Sequence, residues 1–359
     1  MQQLFRRLGA AAFFLTLATC ANALTVRAER PDWFKALNQN SAWNITLHGA
    51  IDADSPRLVA EALKKAGTDG ADIYFDSQGG NLLAGMKIGR MIRQAGANTH
   101  IGKLVPDPGN TFAGKAGVKS LPGNCYSACT LAYLGGVYRY TDEKSQFGVH
   151  RFSSAKGPAD TDLDTAQILS AAISNYIREM DVDPGLFDLM VQEGKDGIRV
   201  LNSRELTRLN VVNNGRKRPQ WSIEAVDGGM YVRGVQDSIY GQGKVVLYCE
   251  NHEMLFQSYY QAGPARATSI QSGGWYHSLL VDGDPLPLSD PFHIKASGAE
   301  IATMFLLTES QVLAIAAGTS VGHAMQLARD APTFVGYNVD IPPESTQRVR
   351  TYIRNCLRR

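Results

Sequence analysis

The sequence has almost no net charge, no nucleotide-binding motif and no long hydrophobic run beyond its N-terminus. Its 36 basic and 34 acidic residues give a formal net charge of +2. Proteins that bind nucleic acid usually carry a clear excess of basic over acidic residues, so this balance argues against a nucleic-acid partner. No Walker A pattern is present, which argues against ATP use by the chain itself. No apolar stretch after the N-terminus is long and uncharged enough to span a membrane as a helix.

The first 23 residues have the layout of a secretory signal peptide. Arg6 and Arg7 form a basic start, an apolar run covers residues 8–18, and Ala21-Asn22-Ala23 matches an A-x-A cleavage site. We therefore expect residues 1–23 to be removed near Ala23 and the mature chain to be exported, most simply to a bacterial periplasm. Without its two arginines the mature chain carries as many acidic as basic residues.

Cysteine is scarce, with five residues in the chain. Cys20 leaves with the signal peptide, and a lipoprotein anchor at this position is the less favoured alternative because Thr19 precedes it. Four cysteines remain, and in an exported protein they predict two disulfides with three open connectivities. The most economical pairing joins the four as follows: Cys125–Cys129 and Cys249–Cys356. Zinc at Cys125-x3-Cys129 lacks a second Cys/His pair at normal spacing, so we predict no metal and no cofactor; buried free thiols are the remaining alternative for that pair.

Strand and helix patterns alternate in the first part of the chain. Predicted strands and helices follow one another over residues 43–51, 55–67, 71–77 and 81–96. This alternation predicts an α/β domain with a parallel sheet over residues 24–213. Residues 103–123 are predicted to be a long loop, of the kind that is usually functional. A linker is expected at 214–220, and short strands separated by Gly and Asp turns predict a smaller β-rich α+β domain over 221–359.

Three short stretches of the first domain carry residues suited to chemistry. They are FDSQGGNLL, which contains Gly79 and Gly80, then NCYSACTLAYLGG, which contains Ser127, and FGVHRF, which contains His150. Each has a plain structural alternative when taken alone. Two glycines suit a tight strand-to-helix turn, a serine suits a helix N-cap, and a histidine at a strand end is commonly structural.

In this order and spacing, the stretches resemble the ClpP-type serine peptidases of the ClpP/crotonase superfamily. The resemblance covers about 165 residues, 49–212, and is closest to exported single-chain ClpP-like proteins with C-x-S-x-C around the serine. It implies a repeated ββα fold with a parallel sheet. It also implies that Ser127 is the nucleophile and His150 the general base. Backbone N–H groups of Gly79 or Gly80 and of Ala128 would form the oxyanion hole.

The chain departs from the family pattern at three points. Gln78 replaces a proline beside the glycines, which matters little for the oxyanion hole. The 103–123 segment is an insertion expected to act as a lid or specificity loop beside the serine. The third departure concerns the acid that orients the histidine. Strict alignment with the family places Ile198 at the position of this acid, and Asp196 lies two residues earlier. A local shift that brings in Asp196, a Ser127–His150 dyad and an inactive enzyme are the three alternatives.

Three functional hypotheses follow. The first is an exported serine hydrolase, a peptidase acting on peptides or unfolded proteins without an ATPase partner. The second is a catalytically silent scaffold or binding protein of the cell envelope. The third, an acyl-CoA enzyme of the crotonase type, leaves the Ser127–His150 pair unexplained and requires a cytosolic substrate. The resemblance also makes a homo-oligomer, assembled through the helix at 161–180, an expectation.

Overall fold

The computed structural model describes residues 23–30, 42–112, 115–152, 162–194, 197–226, 229–329, 331 and 333–358. The predicted signal sequence up to residue 22 and Asp196 lie outside these residues. The described chain is a mixed α/β protein with several sheets. Its hydrophobic core forms two separate clusters, one between Leu24 and Val212 and one between Trp221 and Cys356. These clusters agree with a division at 214–220, and the domain boundaries themselves stay a prediction.

The first sheet has five strands in the order β1-β2-β3-β4-β8. Their bounds are β1 Thr25–Glu29, β2 Trp43–His48, β3 Ala71–Asp76, β4 Asn98–Ile101 and β8 Arg139–Tyr140. Strands β2, β3, β4 and β8 are parallel, and β1 joins the edge in the antiparallel sense. Strand β1 was not predicted, because its five residues alternate between exposed and half-buried and the sequence here is taken for a short polar segment. Parallel strands place their carboxyl ends, and the side chains that follow them, at one edge of the sheet.

Helices connect the strands of this sheet. Their bounds are α1 Ser55–Ala66, followed by a 3-10 turn at Gly67–Asp69, then α2 Leu82–Gln94 and α3 Ala128–Leu134. Helices α2 and α3 touch closely because glycines face the contact. A Cβ atom on Gly85 would lie 2.4 Å from the carbonyl oxygen of Ala128, and one on Gly135 would lie 2.2 Å from that of Gly89. This packing fixes where α3, and the residue before it, sit against β3.

A small three-stranded sheet holds the candidate nucleophile. Its strands are β7 Asn124–Tyr126, β9 Gln146–Val149 and β10 Arg199–Val200, in the order β10-β9-β7. Strands β7 and β9 are parallel, and β10 is antiparallel to β9. An isolated parallel bridge between Ser77 and Cys125 joins this sheet to the end of β3. The other helices in the described residues of this half are α4 Asp162–Glu179, α5 Gly185–Gln192 and α6 Ser203–Arg208.

The prediction of a long loop over residues 103–123 is wrong. The segment forms a two-stranded antiparallel ribbon, β5 Lys103–Phe112 and β6 Lys115–Leu121, with a register shift between Asp107 and Thr111. Pro106 pairs with Val118 inside it. Proline disfavours an interior strand because it cannot donate a ladder bond, but each strand of a two-stranded ribbon has an unpaired edge. The prolines and glycines therefore obscured a ribbon that tolerates them.

The second half is built from two antiparallel sheets. The six-stranded one has the order β11-β12-β13-β14-β18-β17, with strands Gln220–Val226, Gly229–Ser238, Gly241–Glu250, Glu253–Gln261, Glu300–Leu306 and His293–Ser297. The four-stranded one has the order β16-β15-β19-β20, with strands Asp284–Pro287, Tyr276–Val281, Ser320–Gln326 and Val335–Asp340. Three helices accompany them: α7 Pro264–Gln271, α8 Glu309–Ala317 and α9 Pro343–Leu357. The prediction of a β-rich second half agrees with this arrangement.

Both expected disulfides are formed. The sulfur atoms of Cys125 and Cys129 are 1.99 Å apart, and those of Cys249 and Cys356 are 2.03 Å apart. Two disulfides are typical of proteins from oxidising, extracellular compartments. Among the described residues no helix is long and apolar enough to cross a membrane. The described chain also holds no group of three or more metal-ligating side chains.

Two histidines are buried in the core of the second half. Nδ1 of His277 lies 3.0 Å from Nε2 of His323, whose own Nδ1 lies 2.9 Å from the Ser258 hydroxyl. Desolvation lowers the pKa of His277 to about 4, although Asp290 opposes the shift, and it also lowers the pKa of His323. The folded protein therefore keeps both rings neutral near neutral pH, where a charged ring would lack compensation.

We expect acid to destabilise the second half through this pair. Below about pH 6.5 an unfolded histidine binds a proton that folded His277 takes up only near pH 4, so stability falls over that window; the lowered pKa of His323 acts in the same direction. His277 alone contributes a loss of about 2 kcal/mol between pH 8 and pH 5. Urea unfolding at several pH values measures it. The exposed His293→Gln variant should show the wild-type pH dependence, and His277→Gln should flatten it; equal slopes in all three proteins would contradict the assignment.

Candidate active site

Ser127 occupies the single residue between strand β7 and helix α3. Its backbone has φ 55° and ψ −126°, a left-handed conformation that costs a non-glycine residue on the order of 1–3 kcal/mol. The strain is held by neighbours: the Ser127 N–H donates to the Gly148 carbonyl at 3.0 Å, and its carbonyl accepts from the N–H and hydroxyl of Thr130. A serine on a strained strand-to-helix turn is the arrangement of nucleophile elbows. Ser127 stands at the N-cap position of α3, but its side chain makes no capping bond, so the N-cap alternative does not account for the serine.

The Cys125–Cys129 disulfide spans this turn from strand to helix. Both cysteines are fully buried, whereas Ser127 between them is partly exposed. The bond ties the end of β7 to the first turn of α3. It therefore restricts the backbone on both sides of the strained serine and leaves the hydroxyl accessible.

The glycine turn after β3 lies directly against Ser127. A Cβ atom on Gly79 would lie 2.7 Å from the Ser127 Cβ and 2.9 Å from the Ala128 nitrogen. One on Gly80, where φ is 137°, would lie 2.2 Å from the Ile51 carbonyl oxygen. Both positions thus need glycine for close backbone approach. The sequence could suggest this turn but could not show which backbone it contacts.

Two N–H groups near the serine are available to a ligand. The Gly79 N–H is already used, since it donates to the Ser77 hydroxyl at 3.1 Å. Among the described residues, neither the Gly80 N–H nor the Ala128 N–H donates to an acceptor. Ala128 is the first residue of α3, so its N–H is one of the free donors at a helix N-terminus. Of the two predicted glycines, Gly80 is the better donor.

Strand register brings His150 towards Ser127. Tyr126 pairs with Gly148 in the parallel β7–β9 ladder, so Ser127 follows beside Val149 and His150 is the next residue along. Both residues leave the carboxyl ends of neighbouring strands. In the described part of the chain no hydrogen bond joins the Ser127 hydroxyl to the His150 ring, and such bonds commonly tighten only when substrate binds.

The His150 ring is oriented by a backbone carbonyl. Its Nδ1 lies 2.9 Å from the Arg151 carbonyl oxygen. A carbonyl only accepts, so this bond places the proton on Nδ1 and leaves the lone pair on Nε2, the tautomer a general base needs. The Arg151 side chain donates to the Val191 carbonyl from Nε and Nη2 at 3.1 and 2.9 Å, and its N–H donates to the Glu193 carbonyl. Sequence analysis missed Arg151, because a main-chain acceptor has no side-chain signature.

The position of the expected acid is occupied by an apolar residue. Arg199 pairs with Val149 in the antiparallel β9–β10 ladder, so Ile198 stands opposite His150. Ile198 is 46% exposed, and its Cγ2 lies against Gly148. Asp196 falls outside the described residues, and its assignment as the acid stays a prediction.

Two groups are candidates for orienting His150, the Arg151 carbonyl and the Asp196 side chain, and they predict different effects of mutating Asp196. If the carbonyl orients His150, Asp196→Asn should change the rate of serine labelling less than about threefold, whereas loss of a triad aspartate costs roughly 10⁴-fold. Arg151→Met removes the two side-chain bonds that hold the carbonyl, and we expect labelling to slow roughly tenfold. The measurement is the labelling rate as a function of pH. A 10⁴-fold loss in Asp196→Asn would assign the role to the aspartate instead.

Beside the site, a buried carboxylate ties the ribbon to the sheet. Asp76, 7% exposed, accepts from His48 Nδ1 at 2.7 Å, Lys103 Nζ at 3.1 Å and the Asn124 N–H at 3.0 Å. It thereby links the ends of β2 and β3, the base of the ribbon and the start of β7. A cavity of about 340 Å³ opens in front of His48. These contacts fix the ribbon base near the strand that leads to Ser127.

No protein-family model matches the chain. No curated protein matches it either. Among solved structures, the chain is similar to a point mutant of ClpP1 from Listeria monocytogenes, at 17% sequence identity and a TM-score of 0.34. That match covers 50% of this chain and 93% of the other.

Proposed function

We propose that this protein is an exported serine hydrolase that cleaves peptides or unfolded polypeptides without an ATPase partner. The observation that carries the proposal is the strained, partly exposed Ser127 at a strand-to-helix turn, with His150 at the end of the neighbouring strand. The resemblance of residues 49–212 to ClpP-type peptidases supports it and favours a ClpP/crotonase-type arrangement of the first half.

The reaction uses this chain's own groups. The Ser127 hydroxyl attacks the substrate carbonyl carbon while His150 Nε2 takes its proton, because a free serine hydroxyl is a weak nucleophile. The oxyanion that forms accepts hydrogen bonds from the N–H groups of Gly80 and Ala128, with Gly79 shaping the approach. Deleting one such donor elsewhere costs about 3–4 kcal/mol. His150 then gives the proton to the leaving amine, and water, deprotonated by the same ring, releases the acyl group from Ser127.

The setting follows from the signal-like N-terminus and the two disulfides. Together they favour an oxidising compartment, and we propose the bacterial periplasm. A periplasmic enzyme has no ATP supply, which fits the lack of a Walker A pattern. No metal or cofactor takes part in the proposed chemistry. A homo-oligomer formed through α4 (Asp162–Glu179) belongs to the proposal as well.

The test is covalent labelling of the mature, oxidised protein with a fluorophosphonate, read by intact mass. We expect one adduct, located on Ser127 by peptide mapping and absent from Ser127→Ala and His150→Ala. The matched controls are Ser310→Ala and His293→Ala, which change exposed residues of the second half. No adduct on folded wild-type protein, with or without the 103–123 ribbon, would contradict the hydrolase.

A second function remains a candidate because of one observation. Ile198 stands where the family carries its acid, and an apolar residue there is compatible with a silent scaffold that binds envelope partners. Absence of labelling, together with binding activity of the second half, would favour this alternative.

A further inference from the structure

The six-stranded sheet of the second half has an open groove on one face. Its other face packs on the hydrophobic core through residues such as Val232, Leu247 and Phe256, which are fully buried. The groove has a volume of about 450 Å³ and is lined by side chains of strands β11 to β14 and β18. The solvent face of an antiparallel sheet normally carries polar residues, so an apolar lining here needs a reason.

The strand register assembles an aromatic and aliphatic surface in this groove. Tyr231 lies opposite Tyr248, and Tyr248 lies opposite Leu255 on the next strand. Val246 and Met304 line the adjoining row. Tyrosine offers large contact area at small entropic cost and is enriched at binding surfaces. The lining therefore suits apolar side chains of a ligand.

One of the two positive charges in the groove has no carboxylate partner among the described residues. Arg233 is neutralised by Glu224, 2.7 Å away, and Glu224 also accepts from the Tyr231 hydroxyl at 2.6 Å. Lys244 has its Nζ 3.7 Å from the centre of the Tyr259 ring. Among the described residues Lys244 has no carboxylate partner. The tyrosine ring holds the ammonium group in place, and an anionic group of a ligand could form a charge-assisted hydrogen bond with it.

We propose that this groove binds a polypeptide segment that carries an aromatic or aliphatic side chain next to a carboxylate. The Tyr231–Tyr248–Leu255 surface takes the apolar side chain, and Lys244 takes the carboxylate. Neutral sugars also stack on tyrosine, but they would leave the Lys244 charge without a partner. As a recruitment site for the substrates of Ser127, the groove rests on the proposed function; as a peptide-binding site it does not.

The experiment uses full-length mature Ser127→Ala protein with intact disulfides, so that bound peptide is not cleaved. The probe is the unlabelled peptide GSFLDFLSG, with an acetylated N-terminus and an amidated C-terminus, and binding is followed by isothermal titration calorimetry. A second peptide replaces the acid with asparagine and keeps a free C-terminal carboxylate; a third has asparagine and an amide. The first two peptides distinguish a side-chain carboxylate from a C-terminal carboxylate, and the third peptide has neither carboxylate.

We expect the third peptide to bind at least tenfold more weakly than the better of the other two. Lys244→Gln should weaken binding of that better peptide roughly tenfold and abolish its preference over the third. Tyr248→Ala should weaken all three peptides. Lys295→Gln is the matched control, because the register places Lys295 in the same cross-strand row as Lys244, exposed and outside the groove.

Three results would overturn the groove assignment. They are equal binding of all three peptides, equal weakening by Lys244→Gln and Lys295→Gln, and binding of chitohexaose without binding of any peptide. The readout separates this inference from the hydrolase itself. Peptide binding without fluorophosphonate labelling would sustain the groove and reject the enzyme, and labelling without peptide binding would do the reverse.

Discussion

Ser127→Ala is expected to lower the rate of peptide or ester hydrolysis by roughly 10³-fold or more, and His150→Ala by a similar factor. The two side chains act as one unit, because the serine is a nucleophile only while the imidazole takes its proton. The double variant should therefore be no slower than either single variant. The residual rate would come from the backbone donors at Gly80 and Ala128. The measurement is kcat/KM on an activated ester and on a fluorogenic peptide.

Additive losses would contradict a Ser127–His150 pair. If each single variant lowered kcat/KM by some factor and the double variant lowered it by the product of the two factors, the residues would act independently. A wild-type rate in Ser127→Ala would exclude the serine altogether. His293→Ala, which removes an exposed histidine of the second half, serves as the control for loss of imidazole.

Loss of the Cys249–Cys356 disulfide is expected to destabilise the second half by about 4–5 kcal/mol. The two cysteines are 107 residues apart in sequence and join strand β13 to helix α9. Without this bond the unfolded chain gains conformational entropy, because the long loop between the two cysteines is no longer closed. The double variant Cys249→Ala/Cys356→Ala leaves no unpaired thiol at this site, and urea unfolding followed by tryptophan fluorescence measures the loss.

The second disulfide provides the comparison. Cys125 and Cys129 are four residues apart, so the same relation gives only about 2 kcal/mol for their bond. A loss of equal size in both double variants would contradict the loop-length argument. Because the short bond stabilises less, its position around Ser127 points to a local role: it restrains the backbone on either side of the strained serine.

Residues that interact locally were the ones that sequence analysis placed well. Helices α1 and α2 were predicted within two residues at each end, because apolar spacing and flanking glycines are read along the chain. The close pair Cys125–Cys129, with Cys249–Cys356 left to pair, was also found. Thr308 with Gln311 three residues later is likewise a local pattern that predicts a helix start, and the structure has a capping box there at the start of α8.

Features that depend on long-range contact escaped the sequence. The antiparallel β1, the 103–123 ribbon and the bonds from Arg151 to the Val191 and Glu193 carbonyls all depend on main-chain groups, which every residue type carries. The open groove of the six-stranded sheet likewise exists only once the register aligns residues from different strands.

The sequence by itself determined the residue types available for chemistry and their order along the chain. Ser127, His150 and the paired glycines were selected because their order and spacing resemble those of ClpP-type peptidases; taken alone, each had a plain structural alternative. The tertiary structure alone decided the φ of 55° at Ser127 and the close approach of Gly79 to it. Those outcomes come from strand register and backbone packing, which are set by the whole fold rather than by any short stretch.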